Sequence, residues 1–274
     1  MRLNHKLLPL SDYHKAKDLF WDPRAIDLTR DRTDWASLAE RERDLILRGA
    51  SVFLVGEEAV AHDLIPLLLA IRRAGGHTEE EMFLATQLFE EAKHFEWFDR
   101  WLTHVIDAPV DATKYFGAAY RKIFYDELPR ALNRLMTDHS TAAMVEAVTL
   151  YHLTIEGALA ETGYYGFAQA LKENDLLPGL LRGLELVQRD EARHIAFGTY
   201  LLKRLVQPEP NLFEMIQARL NELLPQVLAL ISEVFEPYGD EIPFGLNLAE
   251  MMAYAGEQLT LRLNAVARAL PQPA

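Results

Sequence analysis

Apolar and polar positions along this chain recur with a helical period. From Leu38 onward apolar residues return three and four positions apart, the spacing that lines one face of an α-helix. This predicts a helix over 38–74 that stops at Gly75-Gly76, and a second over 78–105. A shorter segment follows over 115–136, interrupted at Pro129, then a long helix over 141–174. Another runs over 178–206 and opens on Pro178, where proline is tolerated. Two more amphipathic helices fit 211–235 and 246–268, split by Pro237, Gly239 and Pro243. Thr78, with Glu81 three residues on, reads as a capping box, and Pro66 inside the first helix as a kink. The glutamates at 79–81 suit a helix N-terminus. The first 35 residues mix aromatics, Pro23 and charges without a period and read as an ordered arm wrapped on the body. No segment alternates with period two. The fold class expected is all-α, one domain over 1–274, with an arm (1–35), core helices (38–206) and additional packing helices (211–268).

The apolar stripes carry conspicuous single charges. Ile46, Ala50, Phe53, Glu57, Val60, Leu64, Leu67 and Ile71 form one stripe; Leu84, Leu88, Glu91, Phe95, Phe98 and Leu102 form another. A third runs through Leu180, Leu184, Val187, Glu191, His194, Gly198, Leu201 and Leu205. The stripe through Glu156 is less clean, because Thr149 and His152 share its face. An isolated carboxylate on a buried face is very costly, so each requires a cation.

Two of these charges belong to a repeated run. Glu91-Ala92-Lys93-His94 returns 100 positions later as Glu191-Ala192-Arg193-His194, with lone upstream glutamates, Glu57 and Glu156, placed 34 and 35 residues earlier. Residues three apart on a helix lie about 60° apart around the axis and roughly 4.5 Å apart along it, so Glu and His of each run can reach one object. Four glutamates and two histidines on four helices are the ligand set of a ferritin-like bundle with a di-metal carboxylate core. Oxygen-rich donors with some imidazole suit iron or manganese. A lone Glu-x-x-His is usually a solvated helix face, and 41 acidic residues make chance matches common. Two copies with matching upstream acids are not explained that way.

His62, His77, His104, His139 and His152 have no such partners and read as surface or core-polar residues. Glu58 sits about 100° round the helix from Glu57 and belongs to a polar face. Ligating histidines usually donate their free N–H to a carboxylate. Asp190 is the expected partner of His94, whereas Glu90 fits either that role or an exposed acid.

Composition narrows the setting. The chain has no cysteine, which excludes disulfides, thiolate zinc sites and iron–sulfur clusters. Its net charge of −13 leaves no basic surplus for a nucleic acid. No long apolar run follows the N-terminus, and the most apolar stretch, Leu64 to Ile71, is too short for a transmembrane segment. A cytoplasmic protein is expected.

The strings Gly56-Glu57-Glu58-Ala59-Val60, Glu91-Ala92-Lys93-His94, Tyr151-His152-Leu153-Thr154-Ile155-Glu156-Gly157 and Asp190-Glu191-Ala192-Arg193-His194 resemble the ligand-binding oxidases that share the ribonucleotide reductase small-subunit fold. The resemblance runs from about Trp21-Asp22-Pro23 to the last long helix and is weakest at the termini. It implies a homodimer and a heterodinuclear manganese–iron cluster reacting with dioxygen, with di-iron as the alternative. The implied ligands are Glu57, Glu91, His94, Glu156, Glu191 and His194. It also implies a bound long-chain fatty acid whose carboxylate bridges the metals, and an ether joining the Cβ of Val60 to the oxygen of Tyr151. Helical period agrees that Val60 faces the site; Tyr151, five residues before Glu156, would point about 140° away on an ideal helix. The interval from Glu57 to Glu91 is one residue longer than in the family. An alternative register would put Glu58 and Ala61 in place of Glu57 and Val60, but the unbroken stripe favours the latter pair.

Two other functions fit the ligand set. A ribonucleotide reductase small subunit would usually carry a radical tyrosine four residues after the first ligand histidine, where this chain has Phe98, and a docking tail with an aromatic, whereas nothing after Tyr254 is aromatic. A manganese–iron reductase without that tyrosine stays compatible. A ferritin-like iron-binding protein would be shorter and assemble into cages.

Overall fold

The computed structural model describes residues 2–106 and 109–270. Helix α1 (Leu8–Asp18) and helix α2 (Thr29–Ser37) make up most of the N-terminal arm, with a 3₁₀ turn at Pro23–Ala25 between them. The lack of apolar period in the arm conceals helices that lie on the body and act through polar contacts. Asp31, fully buried on α2, accepts the backbone N–H groups of Gly179 (2.7 Å) and Leu180 (2.8 Å) and the indole N–H of Trp101 (2.8 Å). It thereby caps the N-terminus of a distant helix, whose first amides have no partner within the helix itself.

The expected first helix divides into α3 (Glu40–Asp63) and α4 (Ile65–Arg73). Pro66 causes the break: it lacks an N–H and its ring crowds the preceding turn, so the chain restarts with proline in the first turn of α4. Helix α5 (Thr78–Val105) follows Gly75, whose φ of 72° supplies the left-handed turn. The capping pair is one residue earlier than the sequence suggests: His77 N–H donates to Glu80 Oε2 at 2.9 Å, while Glu81 instead accepts from Arg72.

Helix α6 (Ala118–Arg121) runs through a π-helical stretch, Lys122–Glu127, into α7 (Leu128–Arg134), so Pro129 follows a π turn and does not end the helix. The long rod at 141–173 has a similar construction: α8 (Thr141–Val148), a π-helical segment Thr149–Ala160, then α9 (Glu161–Glu173). Helices α10 (Pro178–Val206), α11 (Leu212–Phe235) and α12 (Leu248–Ala267) complete the order, and no strand occurs among the described residues.

Helix α3 packs along α5, while α10, α11 and α12 pack along the π segment. This ferritin-like arrangement buries large side chains, including Trp97, Trp101, Phe83, Phe98 and Phe197 at 0 % exposure, each contributing roughly 1.5–3 kcal/mol of transfer free energy. Gly183 is required where α10 crosses α5, because a Cβ there would enter the Trp97 indole. Among the described residues no helix is long and apolar enough to cross a membrane.

Candidate metal centre

Four rods deliver the six acids and imidazoles singled out by the stripes to one point. Glu57 comes from α3, Glu91 and His94 from α5, Glu156 from the π segment, and Glu191 and His194 from α10. They form two overlapping groups, Glu57–Glu91–His94–Glu191 and Glu91–Glu156–Glu191–His194, with ligand atoms within 4.8 Å of one another in each group. Glu91 and Glu191 belong to both groups, so each could serve either of two adjacent ion positions. His94 Nδ1 lies 3.5 Å from Glu57 Oε2 and 3.2 Å from Glu191 Oε1. His194 Nδ1 lies 3.1 Å from Glu91 Oε1 and 3.3 Å from Glu191 Oε2. Glu58 stays half-buried outside both groups.

Several of these atoms have no hydrogen-bond partner although they are fully buried: His94 Nδ1, His194 Nδ1, Glu156 Oε2 and Glu191 Oε2. Buried polar atoms are almost always satisfied, so a cluster of orphans aimed at one centre fits bound cations. The electrostatics agree. Burial pushes the Glu57 carboxyl up to about 8. Burial, reinforced by the charge of Glu191, lifts Glu156 well above the carboxylate range. Burial would depress both imidazoles, yet the carboxylates facing them hold His94 and His194 well above the usual histidine range. The protein alone can relieve this crowding only by holding protons, which metal ions replace. The donor set, four carboxylates and two imidazoles, suits iron or manganese.

Behind the imidazoles the repeat becomes reciprocal. His94 Nε2 faces Asp190 Oδ2 at 3.4 Å, and His194 Nε2 faces Glu90 Oε2 at 2.9 Å. Each acid precedes a paired glutamate of one copy and serves the histidine of the other. Glu90 is therefore buried, and the exposed alternative for it fails. The basic residue before each histidine completes the exchange: Lys93 Nζ reaches Asp190 at 2.7 Å, and Arg193 Nη2 reaches Glu90 at 2.5 Å and Asp190 at 2.7 Å. Burial alone would raise Asp190, but the His94 hydrogen bond and the Lys93 charge hold it far below its ordinary value. Trp21, from the arm, donates its indole N–H to Asp190 Oδ2 at 2.7 Å and stacks on His94. In the neutral rings these acid–imidazole contacts favour the proton on each Nε2, so that a cation displacing the second ring proton would meet the Nδ1 lone pair.

The π segment changes the reading of Tyr151. Its i→i+5 period stacks residues five apart, and Thr154 Oγ1 donating to Thr149 O at 3.0 Å shows that spacing directly. Tyr151 and Glu156 consequently share a face: Tyr151 donates to Glu91 Oε1 at 2.9 Å, and Gln87 Nε2 donates to Glu156 Oε1 at 2.8 Å and to the Tyr151 oxygen at 3.2 Å. His152, pushed down to about 3 by burial and the nearby charge of His194, is a neutral imidazole within 3.4 Å of Gln87 Oε1. Tyr164 donates to Glu57 Oε1 at 2.9 Å. The sequence reading missed Gln87 and Tyr164; Gln87, one turn before Glu91, was the more visible. Trp21, Lys93 and Arg193 were missed as well, although a basic residue before each paired histidine was a usable signal.

A cavity opens from the carboxylates. Glu57, Glu91, Glu156 and Glu191 lie at its base, and its walls, from α3, the π segment, α9, α11 and α12, are almost wholly apolar. Its volume, including the open mouth, is about 880 Å³. Val60, 5 % exposed, lines it beside Glu57.

Residues 10–257 match the family model for the ribonucleotide reductase small chain. Solved R2-like ligand-binding oxidases are similar over nearly the whole chain. A valine-to-isoleucine variant with an anaerobically reconstituted Mn/Fe cofactor is 36 % identical, covers 96 % of this chain and 94 % of its own, and has a TM-score of 0.90. An oxidase with an aerobically reconstituted Mn/Fe cofactor is 35 % identical over 94 % of this chain and 92 % of its own, TM-score 0.90. A tyrosine-to-phenylalanine variant with the aerobically reconstituted cofactor is 34 % identical over 96 % and 94 %, TM-score 0.92.

Proposed function

Because this chain belongs to the ribonucleotide reductase small-chain family and, within it, to the R2-like ligand-binding oxidases, we propose that it is a dioxygen-using manganese–iron oxidase. In this reading Glu57, Glu91, His94, Glu156, Glu191 and His194 would hold the two metals, Glu91 and Glu191 being common to both groups. The observation that carries it is the set of orphaned, fully buried donor atoms converging from four helices. The metals, when bound, would supply the redox chemistry with dioxygen. The apolar cavity ending on the carboxylates supports a long-chain fatty acid as the bound ligand, its carboxylate at the metals and its chain along the walls.

The groups oxidised in this reading are Val60 and Tyr151; Val60 lining the cavity beside Glu57 and Tyr151 donating to Glu91 support it. Joining Val60 Cβ to the Tyr151 oxygen forms a C–O bond and breaks one C–H and one O–H bond; the two protons and two electrons released pass to dioxygen, which is thereby reduced to the level of hydrogen peroxide. Glu91 Oε1, 2.9 Å from the phenol, is placed to accept its proton, and the Gln87 N–H holds the phenol oxygen in position. The buried surroundings keep water from competing. Phe98, fully buried and stacked on Phe53 at 5.2 Å, offers no phenol for radical storage, which favours this reading over a reductase subunit. We assign the chain one helical domain, a homodimeric state and a cytoplasmic setting; the contribution of arm, core and final helices to one site supports the first, and the absence of cysteine the last.

The test is peptide mass spectrometry after loading with both metals and exposure to air. Linked peptides containing Val60 and Tyr151, lighter by two hydrogens, are expected. Full metal occupancy with both peptides unlinked would overturn the cross-link, and loss of binding of two metals per chain would overturn the centre itself.

A further inference from the structure

Four glycines line the cavity, and three are filled recesses. A Cβ on Gly49 would overlap the Phe167 ring, one on Gly163 would come to 2.5 Å from Phe53 Cζ, and one on Gly166 to 2.7 Å from Met251 Sδ. Gly56 differs: a Cβ there would meet only Phe124, in ordinary contact at 3.6 Å, so this position directly beside Glu57 is not filled by a neighbouring side chain. Gly49 is two turns farther along α3, about 10 Å from Gly56. Phe167, eleven residues beyond Glu156 on the facing rod, meets α3 at that level. Gly49, Phe167 and Met251 are all buried, whereas Gly56 and Val234 are part-exposed. The Phe167 ring, set against Gly49, therefore forms the cavity wall about two turns of α3 from the carboxylate end.

We propose that Phe167, seated in the recess left by Gly49, is the stop that sets the longest apolar chain this cavity accepts. This rests on the fatty-acid reading above and assigns its chain-length selectivity to one ring. A chain anchored at the carboxylates passes Gly56 and gains apolar burial with each methylene, roughly fourfold in affinity per methylene, until its end meets Phe167. Beyond that length the added carbons find no room. Removing the ring extends the space; a methyl group on Gly49 drives the ring into the cavity and shortens it.

The experiment uses metal-loaded protein and competitive displacement of a fluorescent fatty acid by saturated acids from decanoic to eicosanoic. Wild type should show affinity rising with length to a limit. Phe167→Ala should move that limit to longer acids, with roughly fourfold tighter binding for each methylene newly accommodated. Gly49→Ala should move it to shorter acids. Phe167→Leu, a milder change, gives an intermediate limit and serves if the alanine variant folds poorly, as judged by helical circular dichroism and metal content. Limits unchanged in all variants, with binding retained, would overturn the stop while leaving the ligand reading intact. Failure of every acid to displace the probe from wild type would overturn the ligand reading and the stop together.

Discussion

Replacing Asp190 with asparagine removes one of the two buried acids that face Lys93 and Arg193. Asp190 is 0 % exposed and faces Trp21 Nε1, Lys93 Nζ and Arg193 Nη2 at 2.7 Å each, with His94 Nε2 at 3.4 Å. Lys93 pairs with Asp190, and Arg193 with both Asp190 and Glu90, so the variant leaves the Lys93 ammonium buried without its carboxylate. Breaking such a pair costs about 3–5 kcal/mol, and the retained amide oxygen puts the expectation near 3. The His94 ring also loses the acceptor that fixes its tautomer, which should weaken metal binding about 10–100-fold. That loss should fall on the position bounded by His94. Glu90→Gln should do the converse, weakening the position bounded by His194, whose Nε2 lies 2.9 Å from Glu90. Urea unfolding of metal-free protein gives the stability change; chelator competition, read by anomalous scattering at each position, gives the affinities. A stability loss under 1 kcal/mol, or both variants weakening the same position, would refute the reciprocal scheme.

Other substitutions probe separate links. Gln87→Leu removes the donor to Glu156 and Tyr151 and should lower stability by about 1.5–3 kcal/mol, with a reduced yield of the proposed Val60–Tyr151 link in peptide mass spectra; an undiminished yield would sink the positioning role. Gly183→Ala places a methyl group in the Trp97 indole and should cost about 1–3 kcal/mol, seen as a lower urea midpoint with an unchanged slope. Glu127 is held at about 2: burial would raise it, but hydrogen bonds from Arg130, Arg219 and Lys122 outweigh that. Its folded value lies below its ordinary 4.5, so its contribution is present above pH ~4.5 and lost as pH falls towards ~2. Screened near the surface, it should amount to about 1–2 kcal/mol. Glu127→Gln should flatten the acid limb of the stability curve by that amount, and an unchanged limb would exclude the effect.

The helices and the six clustered acids and imidazoles were legible because period and repetition both survive in a linear string. Glu57, Glu91 and Glu191 stood out as single charges on apolar stripes, and the rule that a ligating imidazole needs a carboxylate located Asp190. Tyr151 was not legible on physical grounds, since an α-helical period turns it away and nothing in 149–160 announces a π helix. Gln87 and Tyr164 escaped for another reason: a neutral donor beside a buried acid looks like any polar residue until the acid's free oxygen is located. The arm helices escaped because their contacts, such as Asp31 on the first amides of α10, are polar and distant in sequence, and leave no apolar period.

The orphaned donor atoms also bear on how long the protein survives. Until ions bind, Glu156, Glu191, His94 and His194 keep buried polar atoms unpaired, each such atom lowering stability by about 1–3 kcal/mol less whatever protonation recovers. Metal binding restores that loss by mass action. A chain without ions at this centre should thus open more often, and be cut sooner by proteases, than a loaded one. Lifetime of the folded chain would then track how fully its metal positions are loaded.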